Sequence, residues 1–277
     1  MKIVFHYVTI KIVKKTKWGV GNMIDIHCHI LPSLDDGASH LTESLEMARQ
    51  AEKQGITKII ATPHHLNGNY ENDKTTILNK VNELNEQLTK EGINLTIFPG
   101  QECRIIGELV AEYNNGSILT ANNNGKYILV ELPSNSVPLY TEKLLFDLQL
   151  NGLVPVIVHP ERNAELIANP DKLYQLVKKG ACTQITASSL VSKFGKNIKK
   201  FTHDLIEANL THFIASDAHN IKTRSFYLAE AYEEIEAKYG NGMKYMFMEN
   251  AELLVEGETI YKEVPERVKK KKLFGIF

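Results

Sequence analysis

From Met23 onward, short runs rich in β-branched residues alternate with longer segments of helical period, and that alternation limits the fold more than any other feature of the chain. Parallel strands need a crossover of a dozen or more residues, and a helix is the usual one. Seven runs are predicted as strands: residues 23–26, 57–61, 95–98, 127–130, 154–158, 183–186 and 213–215. Leu41, Leu45 and Ala48 recur at helical spacing after the first run, and Ile77, Val81, Leu84 and Leu88 after the second. Glycines such as Gly55 and Gly92 close the helical runs, where the chain turns through positive φ. No internal repeat and no Pro- or Ser-rich linker divides the pattern, so a single α/β domain is expected. About seven βα units favour a closed or nearly closed barrel, with an open sheet left available by spacing alone.

Length and composition agree. The 277 residues fit one large domain, and 43% hydrophobic against 23% charged residues describes a soluble globular chain. Lys plus Arg number 32 and Asp plus Glu 33, so no basic field invites nucleic acid and no nucleic-acid partner is expected. Cys28, Cys103 and Cys182 show no paired spacing, which argues against a disulfide framework and for a reducing cytoplasm. No apolar stretch approaches the ~20 residues that span a bilayer. The opening segment looks superficially like a signal peptide, but His6 and Lys11 interrupt it and no small-residue cleavage site follows, so export is not expected. Residues 1–22 are an extra strand, a disordered arm or, as favoured here, an extension upstream of a natural start at Met23; residues 23–264 are read as the α/β domain, and 265–277 as a basic tail. In that tail Lys269 to Lys272 run unbroken into Leu273, Phe274, Ile276 and Phe277.

The chemistry lies immediately after the strands. The first run leads into His27-Cys28-His29, the second into Thr62-Pro63-His64-His65, and the third into Gln101-Glu102-Cys103-Arg104. The fourth ends at Glu131, the fifth at His159-Pro160-Glu161-Arg162, and the seventh at Ser216-Asp217-Ala218-His219. Only the sixth lacks such a group. In a parallel barrel all strand C-termini open onto one face, so these residues converge. His27 and His29 are two apart, as are Asp217 and His219, and a period of two sends both members of a pair to one side. A lone His or Glu at a strand end is ordinarily structural; two such pairs with further His and Glu residues at other strand ends make a multinuclear site. Imidazoles mixed with carboxylates suit manganese, iron or zinc, and such a centre supports phosphoryl displacement. Asp25 shares the strand parity of His27 but lies deeper, which suggests support behind the ligands. His65 stays ambiguous, and His6, His40, His203 and His212 are read as structural or solvent-facing.

Phosphate esters need cationic partners, and Arg162 and Arg224 flank the proposed cluster, with Arg104 two residues after Glu102. A cysteine-dependent phosphatase requires an Arg six residues after its thiolate; those positions here hold Leu34, Leu109 and Ser188. No Walker-type or dinucleotide-type glycine loop is present either.

Met23-Ile24-Asp25-Ile26-His27-Cys28-His29, Asp35-Asp36-Gly37, Thr62-Pro63-His64, Gln101-Glu102, Glu131-Leu132, His159-Pro160-Glu161-Arg162 and Ser216-Asp217-Ala218-His219-Asn220 occur in order and resemble the polymerase and histidinol phosphatase (PHP) family. More narrowly, the span from Met23 to the tail resembles its bacterial protein-tyrosine phosphatase branch, the CpsB/YwqE type of capsule and exopolysaccharide loci. That resemblance implies a distorted seven-stranded (β/α)7 barrel of TIM type holding three divalent metal ions, commonly manganese, with iron or zinc as alternatives. It assigns as metal ligands His27, His29, Asp36, His64, Glu102, Glu131, His159, Asp217 and His219; the choice of Asp36 over Asp35 comes from the resemblance alone. It assigns phosphate binding to Arg162 and Arg224. The implied substrate is the phosphotyrosine tail of a bacterial tyrosine kinase, met in the cytoplasm at the inner face of the membrane, where the basic tail could make weak surface contact. A small-molecule phosphomonoesterase of the histidinol-phosphatase type is the alternative enzyme, and a metal-stabilised, non-catalytic kinase-binding module the alternative of another class.

Overall fold

The computed structural model describes residues 22–269. The expected extension falls almost entirely outside these residues, as does most of the basic tail from residue 270 on. Within them, nine strand segments run in chain order: β1 Met23–Cys28, β2 Ile56–Ala61, β3 His64–His65, β4 Thr96–Pro99, β5 Glu102–Arg104, β6 Tyr127–Glu131, β7 Val154–Val158, β8 Cys182–Thr186 and β9 Phe213–Ala215. Every ladder is parallel, in the orders β1-β2-β4 and β3-β5-β6-β7-β8-β9. A bridge between Cys28 and Ala218 joins the last stave to the first.

Seven staves give nine segments because two of them break. The second stops at Thr62-Pro63 and resumes as β3, where Pro63 has no N–H to give a ladder. The third stops at Gly100-Gln101 and resumes as β5; a Cβ on Gly100 would stand 2.6 Å from Ile60 Cγ2, so the two staves touch at that break. Each resumed piece begins on a candidate ligand, His64 or Glu102. The distortion of the barrel and the placement of the site therefore share a cause.

Another irregularity sits in β1, whose register advances from Asp25 opposite Ile59 to Cys28 opposite Ala61. Three residues thus pass on β1 while two pass on β2, a β-bulge that resets the side-chain alternation. Ile24 and Ile26 lie in the inner barrel cluster with Ile60, Leu129, Val156, Val158 and Phe213. Asp25 consequently lies on the opposite face of the strand, and the parity expected for it with His27 does not hold. Its buried carboxylate accepts from the backbone N–H (2.9 Å) and hydroxyl (2.5 Å) of Ser216, tying β1 to the end of β9. Burial, only partly offset by these bonds, raises its pKa to about 6.

The larger apolar cluster lies between the staves and their helices, where Ile77, Val81, Leu84 and Leu88 of the helix Lys74–Lys90 are all buried as their spacing predicts. Asp73 caps that helix by accepting from Thr76 N–H at 2.8 Å. The last helix, Asn241–Glu256, contributes Ala251, Leu254 and Val255 to the inner cluster. Asn122 and Asn124 each donate a side-chain hydrogen bond to its C-terminal carbonyls, of Val255 and Leu254. Among the described residues no helix is long and apolar enough to cross a membrane.

Candidate metal centre and active site

The strand C-termini deliver their polar side chains to one place, in three overlapping groups whose ligand atoms lie within 4.8 Å of one another: His29, Asp36, His64 and His219; His27, His29, Glu102 and Asp217; and His64, Glu102 and Glu131. Eight of the nine candidate ligands are in these groups. The ninth, His159, lies outside them but places its Nε2 2.8 Å from Glu102 Oε1. His29, His64 and Glu102 are shared between groups, and of these Glu102, with two carboxylate oxygens, is the one able to serve neighbouring ions.

The backbone bends to achieve this. His159 and Asp217 both adopt positive φ, 36° and 54°. A left-handed conformation is uncommon outside glycine and gathers at functional sites. Asp217 and His219 thus reach the centre from a turn beyond β9, rather than from the strand pleat that their spacing suggested. Gly37 allows the Asp35-Asp36-Gly37 turn to close, since a Cβ there would stand 2.1 Å from the His29 carbonyl oxygen. The two aspartates of that turn separate cleanly. Asp35 accepts from His29 Nδ1 (2.6 Å) and from the backbone N–H groups of Gly37 (2.9 Å) and His64 (3.0 Å), so it faces away from the centre and orients a ligand. Asp36 Oδ1 lies 3.4 Å from both His64 Nε2 and His219 Nε2.

The donors fit cations better than they fit one another. His64 Nδ1, Glu102 Oε2 and His219 Nε2 are buried without a hydrogen-bond partner, although His64 Nδ1 stands only 2.9 Å from Glu102 Oε2; Glu131 Oε2 likewise accepts no hydrogen bond but has the Arg104 guanidinium 3.2 Å away. Buried polar groups are ordinarily satisfied, and atoms that crowd together without bonding are aimed at a common point. Charge points the same way. Burial works to lower His29 and His64, but Asp35 beside the first and Glu102 beside the second outweigh it, leaving His29 well above the usual imidazole range and His64 at about 10. Burial works to raise Glu102 and Asp217, yet neighbouring imidazoles for the first and Arg162 for the second hold both well below the carboxylate range. Glu131 is pushed up to about 7 by burial and by Glu102. His159 and His219 are lowered to about 4, chiefly by burial, and present neutral nitrogens. Protons on imidazoles thus balance the carboxylates where divalent cations would displace them.

Arg162 and Arg224 border the cluster. Arg162 Nη2 donates to Asp217 Oδ2 at 2.6 Å, and its guanidinium lies over the Phe194 ring at 5.2 Å. Arg224 reaches Asp36 Oδ2 at 3.2 Å and Asp217 at 3.4 Å. Arg104 is held against Glu131 (3.2 Å) and the Leu132 carbonyl. A cleft of about 410 Å³ opens above, lined among others by His64, Glu131, His159, Arg162, Asp217 and Arg224.

Two supporting residues escaped the sequence reading. Gln184 of β8, the stave with no apparent ligand, accepts from His27 Nδ1 at 2.8 Å and so directs Nε2 toward the centre. Glu161, fully buried, accepts from Thr186 N–H, Thr186 Oγ1 and Ser189 Oγ, fastening the His159–Arg162 turn to the end of β8. Three further histidines among the described residues serve the fold: His40 caps a helix, His203 joins Tyr239 and Glu234, and His212 accepts from Thr183 N–H, while His6 lies outside the described residues. His65 is buried with neither ring nitrogen bonded. All three cysteines are free and buried, with burial raising each thiol, so none is a nucleophile.

Known proteins share this architecture. Residues 23–256 match the family described as capsular polysaccharide synthesis, CpsB/CapC. The tyrosine-protein phosphatase YwqE of Bacillus subtilis is 52% identical over 255 residues, covering 92% of this chain and all of that one. CapC of Staphylococcus aureus is 42% identical over 257 residues, with 92% of this chain and all of the relative covered. A crystal structure from work on YwqE and the CpsB of Streptococcus pneumoniae, described as unique metal-dependent tyrosine phosphatases, superposes with a TM-score of 0.87 at 52% identity over 90% of this chain and all of that one. With a family model spanning most of the chain and relatives matched over their whole length, the chain belongs to the CpsB/CapC family, the branch of PHP-type barrels that its strand-end motifs resemble.

Proposed function

We propose that this protein is a metal-dependent protein-tyrosine phosphatase acting on a bacterial tyrosine kinase of capsule or exopolysaccharide synthesis. The observation that carries the reading is the overlap of three His and carboxylate groups beneath two arginines, with buried donor atoms left unbonded among them. His27, His29, Asp36, His64, Glu102, Glu131, His159, Asp217 and His219 are the residues to hold three divalent ions. Oxygen and nitrogen donors without thiolates suit manganese, iron or zinc, and the family resemblance selects manganese among them. Bound there, such ions would supply an activated water at neutral pH and would offset negative charge on the phosphoryl group.

The chain's own groups do the rest. Arg162 and Arg224, always charged, offer planar donors to the phosphate oxygens and stabilise charge that grows in the transition state. Asp217 holds Arg162 in place at 2.6 Å until substrate arrives. Asp35 and Gln184 fix the ring orientation of His29 and His27. The three free thiols suit a reducing compartment, so the reading places the enzyme in the cytoplasm. Each lysine of the run from Lys269 to Lys272 would contribute about 1 kcal/mol of salt-sensitive attraction to an anionic leaflet, enough to aid encounter with a membrane-bound kinase.

The test is hydrolysis of a phosphotyrosine peptide, histidinol phosphate and p-nitrophenyl phosphate by protein stripped of metal and then given manganese, iron, zinc or magnesium. The reading expects activity only after metal is restored, best with manganese, and faster on the peptide. Full activity in excess chelator, with metal removal verified by elemental analysis, would falsify it.

A further inference from the structure

Carboxylates and imidazoles line the cleft together with the apolar Leu132, Pro160 and Phe194, and Phe194 lies under the Arg162 guanidinium. Leu132 and Pro160 are buried; Phe194, also part of the lining, is only partly so. The backbone holds it there. Ser192 (φ 67°) and Gly195 (φ 90°) bracket Lys193-Phe194 in a turn closed by Lys193 N–H to the Ser188 carbonyl (2.9 Å) and Gly195 N–H to the Ser192 carbonyl (3.0 Å). The turn grows from the helical segment that contains Ser189, whose hydroxyl donates to Glu161 Oε1 at 2.7 Å. Glu161 is the residue between Pro160 and Arg162. One buried carboxylate therefore fastens both the turn that carries Arg162 and the turn that carries Phe194, and it fixes the spacing between guanidinium and ring.

That spacing has a consequence for substrate choice. With the phosphate held by Arg162, the ester substituent leaves the phosphate next to a ring that lies one guanidinium away, 5.2 Å from Arg162 Cζ. A flat aromatic substituent can pack on that ring at the 4.5–7 Å centroid distances that aromatic pairs prefer, whereas a short alkyl chain makes little contact. We propose that Phe194 is a specificity-determining residue that selects aryl over alkyl phosphate monoesters, a deepening that rests on the phosphatase reading above.

Binding separates this idea from turnover. Calorimetry on the metal-loaded protein with phenylphosphonate and methylphosphonate, neither of which is hydrolysed, gives a ratio of affinities. Phe194→Ala should lower that ratio by about three- to ten-fold, the range expected for one lost aromatic pair, while Phe194→Trp should retain it. The ratio of kcat/KM on phenyl phosphate to that on glycerol phosphate should fall in parallel. An unchanged ratio overturns the proposal. If both affinities fall together, Phe194 serves only to hold Arg162; if neither falls, it does not touch the ligand. Absence of hydrolysis of every monoester by the metal-loaded wild type would count against the phosphatase reading, and the binding ratio would still decide the role of Phe194.

Discussion

Replacing Gln184 by Leu isolates the contribution of a residue that touches no substrate and holds no metal. Its Oε1 accepts from His27 Nδ1 at 2.8 Å, while its Nε2 donates to the Ile185 carbonyl at 2.9 Å, so the amide is fixed at both ends inside the barrel. Both Gln184 and His27 are fully buried, and no water can replace the lost acceptor without a cavity. Leucine has nearly the same volume. The variant thus strands one buried N–H, at a cost of about 1–3 kcal/mol, and frees the imidazole to carry its proton on the nitrogen that should face a cation. Loss of such a supporting partner typically weakens metal affinity by about 10- to 100-fold. The assay is competition between protein and a fluorescent chelator for manganese, and Gln184→Glu should recover affinity by restoring the acceptor. If Gln184→Leu holds metal as tightly as the wild type, the bond does not orient His27 and the reasoning fails. If Gln184→Glu is as weak as Gln184→Leu, the defect comes from packing.

The remaining expectations concern separate parts of the molecule. Arg162→Ala should lower turnover by about 100- to 1000-fold, or roughly 3–4 kcal/mol, with metal content near wild type by elemental analysis; concurrent metal loss would reassign Arg162 to holding Asp217. Alkylating reagents should leave activity intact under native conditions, since Cys28, Cys103 and Cys182 are each fully buried, and rapid inactivation matched by one modified thiol would contradict that. His212 titrates at about 3, lowered by burial and then by Lys262, against an ordinary 6.5. The unfolded chain therefore binds the extra proton between those values, so stability falls as pH drops below about 6.5, by about 2 kcal/mol at pH 5. His212→Gln should remove that share of the difference in urea unfolding free energy between pH 7.5 and 5, and an unaltered difference would exclude His212 as its source.

The sequence disclosed the staves because all but the sixth end on punctuation, a Pro, a Gly or a candidate ligand, and because helices of plain 3.6 period separate them. It could not disclose where the staves break. Thr62-Pro63 and Gly100-Gln101 read as strand ends, whereas in the structure the second and third staves resume beyond them for two and three residues as β3 and β5. The parity argument for Asp25 fails for a related reason, since the bulge in β1 falls between it and Cys28 and leaves no mark in composition, yet its expected support behind the ligands is met through Ser216, the neighbour of Asp217. The pairs separated by two residues also look alike in sequence but differ in space, as His27 and His29 follow an extended strand, whereas Asp217 turns through φ 54°. Gln184 and Glu161 were passed over because an amide or carboxylate at a strand end is common, and only the partner 157 positions away for Gln184, or 25 and 28 for Glu161, gives it meaning. Residue types that bind metal can thus be recognised locally, whereas the residues that aim them are defined by long-range contacts alone. Asp35 and Asp36 show the limit most directly: they are adjacent and chemically identical, and the difference between orienting a ligand and facing the centre is decided by which of them meets His29 Nδ1.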